Sequence, residues 1–141
     1  MSINKFNVEG YYDPTPHEAL SNIEKEKRQG FRPLVYIASP FSGDVERNTE
    51  RARGYCRLAV SKGYIPLAPH LHYPQFMDDE DEEERELGLF FGLVLLGKCS
   101  EMWVFNRISV GVAKEIEKAK QRGIPIRYFN HRCEEVNSLW K

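Results

Sequence analysis

Cysteine is scarce in this chain, and its spacing offers no pairs. Cys56, Cys99 and Cys133 are odd in number and far apart, which excludes a disulfide framework and the paired spacing of a zinc site. Each reads as a buried thiol or a surface bystander rather than a nucleophile. Basic residues show no surplus; a net charge of -1 argues against nucleic acid as a partner. The longest apolar stretch, Leu87 to Leu96, is too short to span a bilayer, and the opening MSINKFNVEG lacks the apolar core of a signal peptide. No Walker lysine loop and no GxGxxG turn occurs, which disfavours triphosphate hydrolysis and nicotinamide binding. These absences leave a reducing cytoplasm as the simplest location, with no membrane and no cofactor.

What is present suits one soluble domain with one core: 141 residues, 41% hydrophobic and 29% charged. Residues 1–32 read as an added N-terminal piece. Tyr11, Tyr12 and Pro14 form an arm. Thr15-Pro16-His17-Glu18 is a capping box, with a helix from about Pro16 to Arg28 that buries Ala19, Leu20 and Ile23 and is ended by Gly30. Residues 33–130 carry the main domain, and 131–141 read as a loosely specified tail.

Within that domain strands and helices alternate. Leu34 to Ala38 is a continuous apolar run with β character, as in a central parallel strand. A helix is expected from Val45 to Lys62, with Ala52, Tyr55, Cys56, Ala59 and Val60 inward. The strand Tyr64 to Ala68 contains Pro66, which places it near an edge. Pro69 to Met77 reads as a loop. Asp78 to Glu86 holds eight acidic residues, a solvated helix start or mobile segment. A helix from Glu82 to Lys98 is expected to bury Leu87, Phe90, Phe91, Val94 and Leu95, with Gly88 and Gly92 as a seam for a partner helix. Met102 to Asn106 is a buried strand. After the loop Arg107-Ile108 a helix follows in which Val112, Ile116 and Ala119, with Glu115, share a face, and Ile124 to Phe129 is the last strand. This order implies a parallel sheet of about four to five strands covered by helices on both faces. Ligands of such sheets bind beyond the C-terminal strand ends, where strand order reverses, and the loops 39–44 and 107–111 meet there.

Ser109 and Gly111 open the helix after that second loop. Free N–H groups and the positive end of the helix dipole favour an anion there, and Glu115 lies about one turn further in. A carboxylate so placed reaches the atom beside the anion, which in a nucleotide is the anomeric carbon of the sugar. The plainer alternative is that Ser109 is only an N-cap and Glu115 only complements the dipole. In the other loop, Ser39, Ser42 and Gly43 offer hydroxyls and close backbone approach. Asp44 caps the next helix or takes a ribose hydroxyl; Arg47 forks onto a phosphate or faces solvent. His70 and His72 lack a third ligand at clear spacing, so they fit a base pocket better than a metal site.

Four pieces of the sequence form a set: Tyr36-Ile37-Ala38-Ser39-Pro40-Phe41, Pro69-His70-Leu71, Cys99 to Phe105, and Ser109-Val110-Gly111 with Glu115 and Ala119. On these four pieces, the chain resembles the nucleoside 2-deoxyribosyltransferases and related 2'-deoxynucleoside 5'-monophosphate N-glycosidases, and in particular a branch of that superfamily found on phages and mobile elements. The spacing SxGxxxExxxA puts Glu115 where this superfamily has its nucleophile. Tyr36 matches the tyrosine that supports it. Ser109 stands where members acting on monophosphates have serine and those acting on nucleosides have an acid. Two departures occur: Ser100-Glu101 where Asp is frequent, and Asn106 where glycine is common.

The resemblance implies a Rossmann- or flavodoxin-like α/β fold and covalent glycosyl transfer, in which Glu115 attacks the anomeric carbon and displaces the base. Asp78 or Asp79, with His72 second, would protonate the departing base. Ser39, Phe41, Ser42, Gly43, Asp44, Arg47, His70, His72, Ser109 and Gly111 form the substrate-binding set. The expected partners are a small-molecule nucleotide or nucleoside and further copies of the chain, as a homodimer or larger homo-oligomer. The alternative is a non-catalytic binder, sensor or sequestering protein for a nucleotide-derived ligand.

Overall fold

The computed structural model describes residues 30–139. The chain divides into two compact units, residues 1–32 and 33–141. The expected arm and helix before Gly30 lie outside the described residues, and the second unit is the subject below.

Its elements follow the alternating pattern. Strand β1 is Leu34–Ala38, helix α1 Val45–Ser61, strand β2 Ile65–Leu67, helix α2 Pro69–His72, helix α3 Glu82–Leu96, strand β3 Glu101–Phe105, helix α4 Val110–Gln121, strand β4 Ile126–Phe129 and strand β5 Glu135–Val136. The sheet order is β2-β1-β3-β4-β5. The first four strands are parallel, with Tyr36 beside Leu67 on one side and Met102 on the other. β5 runs antiparallel to β4. The proline-containing β2 is an edge strand, as its missing N–H requires. The chain leaves β1 towards β2 and returns across it to β3, so strand order reverses between β1 and β3.

Side chains alternate across β1 and β3, and this alternation builds two cores. Val35, Ile37, Trp103 and Phe105 point to the face covered by α1, where Tyr55 stacks on Phe105 with ring centroids 4.1 Å apart and Phe105 stacks on Phe129 at 4.8 Å. Tyr36, Ala38, Met102 and Val104 point to the other face and meet Leu96 of α3 and Val112, Ile116 and Ala119 of α4. Fully burying a side chain of this size contributes roughly 1.5–3 kcal/mol, so the two central strands supply much of the stability.

A polar chain crosses the α1 face. Tyr64 Oη donates to Glu101 at 2.7 Å and Trp103 Nε1 donates to the same carboxylate at 3.0 Å. Arg127 donates to both carboxylate oxygens of Glu135, each at 2.9 Å, and lies 5.0 Å from the Trp103 ring centroid. Burial lowers and these carboxylates raise the Arg127 pKa; the carboxylates win, so it stays charged.

Four expectations need correction. Pro69 to Met77 is not an open loop but a short helix followed by a 3-10 turn, Tyr73–Gln75. Val60 of α1 is exposed, because α1 turns inward on Ala52, Tyr55 and Ala59. Helix α3 turns the other way round: Leu87, Phe90 and Val94 are exposed, while Gly92 and Leu96 are buried. Apolar residues ring this helix, so hydrophobicity alone does not choose its inner side. Finally, residues 135–136 of the expected tail pair as a strand; two residues are too few for an alternation to be read. No helix among the described residues is long and apolar enough to cross a membrane.

Candidate active site

The end of β1 and the start of α4 converge on one cleft at the reversal point of the sheet. Its volume is about 1020 Å³, and its walls come from the β1 loop, α2, the segment leading into α3, α3 itself and the first turns of α4. Tyr36, Ser39, Phe41, Ser42, His70, Asp78, Asp79, Ser109, Gly111 and Glu115 all line it.

Glu115 is the centre of the electrostatics. Position 115 lies one turn beyond Gly111 and shares the inward side of α4 with Val112 and Ile116, so its carboxyl is carried towards the sheet. Burial pushes its pKa up from 4.5 to about 7, partly opposed by a hydrogen bond from the Tyr36 hydroxyl. Tyr36, 3% exposed, donates that bond from β1, and burial together with the neighbouring Glu115 charge holds its phenol well above the ordinary range. The phenol is therefore a permanent donor and Glu115 the acceptor. The pair joins a strand to a helix across the cleft floor.

Gly92 of α3 makes room for this pair. A β-carbon added there would stand 2.8 Å from the Tyr36 hydroxyl oxygen. The glycine pair expected to form a seam for a partner helix therefore faces inward: Gly92 abuts Tyr36, and Gly88 lines the cleft.

At the N-terminus of α4, one turn before Glu115, Ser109 is the N-cap and its hydroxyl accepts from Val112 N at 3.3 Å. Beside it the Val110 and Gly111 N–H groups have no backbone partner among the described residues, as expected for the first turn of a helix. Arg107, two residues before Ser109, lines the same wall. Ser39, 6% exposed, lies 2.9 Å from His70 Nε2 in a hydrogen bond whose direction follows the imidazole tautomer. Burial pushes His70 down to about 4, so its ring is neutral near pH 7. Among the described residues, no three His, Cys, Asp or Glu side chains are grouped to hold a metal.

Four of the expected binding residues do not line the cleft. The Asp44 carboxylate accepts from Arg47 N at 3.2 Å and is used as the N-cap of α1. Arg47 is solvent-exposed on the first turn of α1. Gly43, at φ +97°, serves the turn. His72 packs its ring against Tyr73 and Phe76. Conversely, Arg85, Arg107 and Tyr73 line the cleft without having stood out in the sequence, and Gly92, expected at a partner seam, lines it too. Arg107 was flanked by the right loop, but a lone loop arginine carries no pattern. Asn48 has a role of its own: its side-chain amide donates to the carbonyls of Phe41 and Ser42, each at 3.1 Å, and holds the β1 loop.

The two departures from the resemblance also find physical explanations. Asn106 adopts φ +75°, a conformation that glycine enters freely and asparagine tolerates. Ser100 and Glu101 sit at the start of β3, the end of the strand opposite the cleft.

Fold and cleft together define an α/β protein with the architecture of the nucleoside 2-deoxyribosyltransferases. The chain shares its fold with a 2-deoxyribosyltransferase from the psychrotolerant bacterium Bacillus psychrosaccharolyticus, described as a biocatalyst for synthesis of antiviral and antitumoral nucleosides. That match has a TM-score of 0.54 at 18% identity and covers 74% of this chain and 77% of that one. A conserved protein from Enterococcus faecalis V583 aligns with a TM-score of 0.49 at 18% identity, over 70% of this chain and 64% of that one. A comparison with curated proteins finds no match. By sequence, the chain belongs to the family defined by the domain of unknown function DUF7768, whose model matches residues 33–129.

Proposed function

We propose that this protein cleaves the N-glycosidic bond of a nucleoside or deoxynucleoside 5'-monophosphate, by hydrolysis or by transfer to a second base, with Glu115 as nucleophile. The carrying observation is the Tyr36–Glu115 pair on the floor of the cleft, one turn below the N-terminus of α4. A buried carboxylate hydrogen-bonded on one oxygen keeps the other for attack and stabilises an oxocarbenium-like transition state.

In this reading the phosphate lies against Ser109, the free N–H groups of α4 and Arg107, where both dipole and side chain favour an anion. A Glu115 oxygen bonds to the anomeric carbon as its bond to the base nitrogen breaks. The electron pair leaves with the base, which takes a proton from Asp78 or Asp79 on the segment leading into α3. Water or another base then attacks the same carbon, its proton passing to the Asp78 or Asp79 carboxylate that gave one up, and the bond to Glu115 breaks to free that carboxylate. Tyr36 keeps Glu115 oriented throughout. Ser39, Phe41, Ser42 and the neutral His70 form the wall for sugar and base.

The test is a panel of deoxynucleoside and ribonucleoside 5'-monophosphates assayed for free base, with Glu115→Ala alongside. Base release that disappears in the variant is expected, rising with pH through about 7 as Glu115 ionises. Absence of release, with saturable nucleotide binding that survives in Glu115→Ala, would refute catalysis and favour a binder or sensor.

A further inference from the structure

Arg85 has no part in the chemistry above, yet it lines the same cleft. Its level in the cleft follows from two contacts between the ends of α3 and the side of α4. A β-carbon at Gly92 would meet the Tyr36 hydroxyl, which bonds to Glu115, and one at Gly97 would stand 3.5 Å from the Arg122 guanidinium. Residue numbers therefore rise together along the two helices, which run parallel. Gly88 and Arg85 precede Gly92 by four and seven residues and share its side of α3. Seven residues are about 10 Å of helix. Arg107 lies beyond Glu115 in the same direction, just ahead of the Ser109 cap. The two arginines thus flank the mouth of the cleft from facing walls, a level above the Tyr36–Glu115 pair. Both are solvent-exposed, and among the described residues no ion pair engages either one.

A phosphate at the N-terminus of α4 uses Arg107. Its ester oxygen ties it to the sugar below, so any further group on it extends outward through the mouth, towards Arg85. Asp78, Asp79, Glu84 and Glu86 line the cleft beside Arg85. In that company Arg85 does not draw a free anion from solution, but it can hold one delivered on a tether. A guanidinium forks onto two phosphate oxygens at once, which a point charge does not. The cleft, at about 1020 Å³, is at the large end for a small-molecule site and leaves room beyond a monophosphate.

We infer that the mouth of the cleft binds the second phosphate of a nucleoside 5'-diphosphate group, with Arg85 as its ligand. The inference rests on the placement of the first phosphate proposed above and adds a charge requirement to it. A third phosphate would run on towards Glu80, Asp81 and Glu82, the carboxylates that precede Arg85, and gain nothing.

The experiment is calorimetric titration of the full chain carrying Glu115→Ala, which removes turnover, with the mono-, di- and triphosphates of each nucleoside and deoxynucleoside in metal-free buffer. For the base and sugar that bind, the diphosphate should bind about tenfold tighter than the monophosphate, and the triphosphate no tighter than the diphosphate. Adding Arg85→Ala should abolish that preference while the monophosphate affinity and the thermal melt stay unchanged. Arg85→Lys should restore only part of it, and Arg107→Ala should weaken mono- and diphosphate alike. A monophosphate that binds as tightly as the diphosphate, a triphosphate tighter than either, or a preference that survives Arg85→Ala would overturn this inference and leave the monophosphate reading standing. Equal losses for mono- and diphosphate in Arg85→Ala would overturn it too. No binding of any of the three would overturn it together with the placement of the first phosphate.

Discussion

Glu115 is ionised at neutral pH only against the resistance of its surroundings, and replacing it with glutamine measures that resistance without any substrate. Glutamine keeps the size of the side chain and an oxygen to accept the Tyr36 bond, but never takes a charge. The native carboxyl titrates at about 7 against an ordinary value of 4.5. The sign follows from linkage: below 4.5 the group is protonated in both folded and unfolded chains and costs nothing. Between 4.5 and about 7 the unfolded chain loses this proton while the folded chain keeps it, so native stability falls as pH rises. Above 7 the loss is complete, at about 3 kcal/mol from about 1.36 kcal/mol per pH unit. For a chain of this size that amounts to a melting difference of roughly 10 °C. Thermal melts of the native protein and Glu115→Gln from pH 4 to 8.5 should therefore diverge, the variant gaining through the interval from 4.5 to 7 and levelling beyond it. A difference that stays constant across this range would refute the reasoning, since the carboxyl would then be no harder to ionise in the folded chain than in the unfolded one.

Two further substitutions probe the packing. Gly92→Ala places a β-carbon 2.8 Å from the Tyr36 hydroxyl oxygen and should cost about 1–3 kcal/mol in urea unfolding; in a Tyr36→Phe background most of that cost should vanish, and an equal cost in both backgrounds would contradict the contact. The Tyr55 hydroxyl is buried with no hydrogen-bond partner among the described residues, so Tyr55→Phe should be neutral or stabilising by up to about 1 kcal/mol; a marked loss by the same assay would reveal a bond to it.

Much of the fold was legible because its central strands are continuous apolar runs. Leu34 to Ala38 and Met102 to Phe105 can be buried on both faces in only a few ways, and the helices between them then dictate a parallel sheet. The side of α4 that carries Glu115 was equally readable, since Val112, Ile116 and Ala119 define it among polar neighbours. Helix α3 was not, because Leu87 to Leu96 is apolar all round and its inner side is chosen by the space that Tyr36 needs at Gly92. That choice is a matter of shape between residues far apart in the chain. Asp44 and Arg47 illustrate a different limit: one carboxylate that caps a helix and one arginine in solvent have the same residue types and spacing as a ribose and phosphate site. Asn106 shows the reverse, an asparagine at φ +75°, in a conformation that glycine enters most freely.

The polar chain through Glu101, Arg127 and Glu135 sits on the face of the sheet that α1 covers, whereas Tyr36 and Glu115 lie on the other. Strand alternation thus sorts heritable variation by the parity of position. Alleles at Val35, Ile37, Trp103 and Arg127 should lower abundance in proportion to lost stability and leave the surviving molecules fully competent. On the proposed glycosyl chemistry, an allele at Tyr36, one step along the same strand as Val35 and Ile37, should impair each molecule that folds. Neighbouring codons in one strand would then give two phenotypes, separable by dividing activity by protein level.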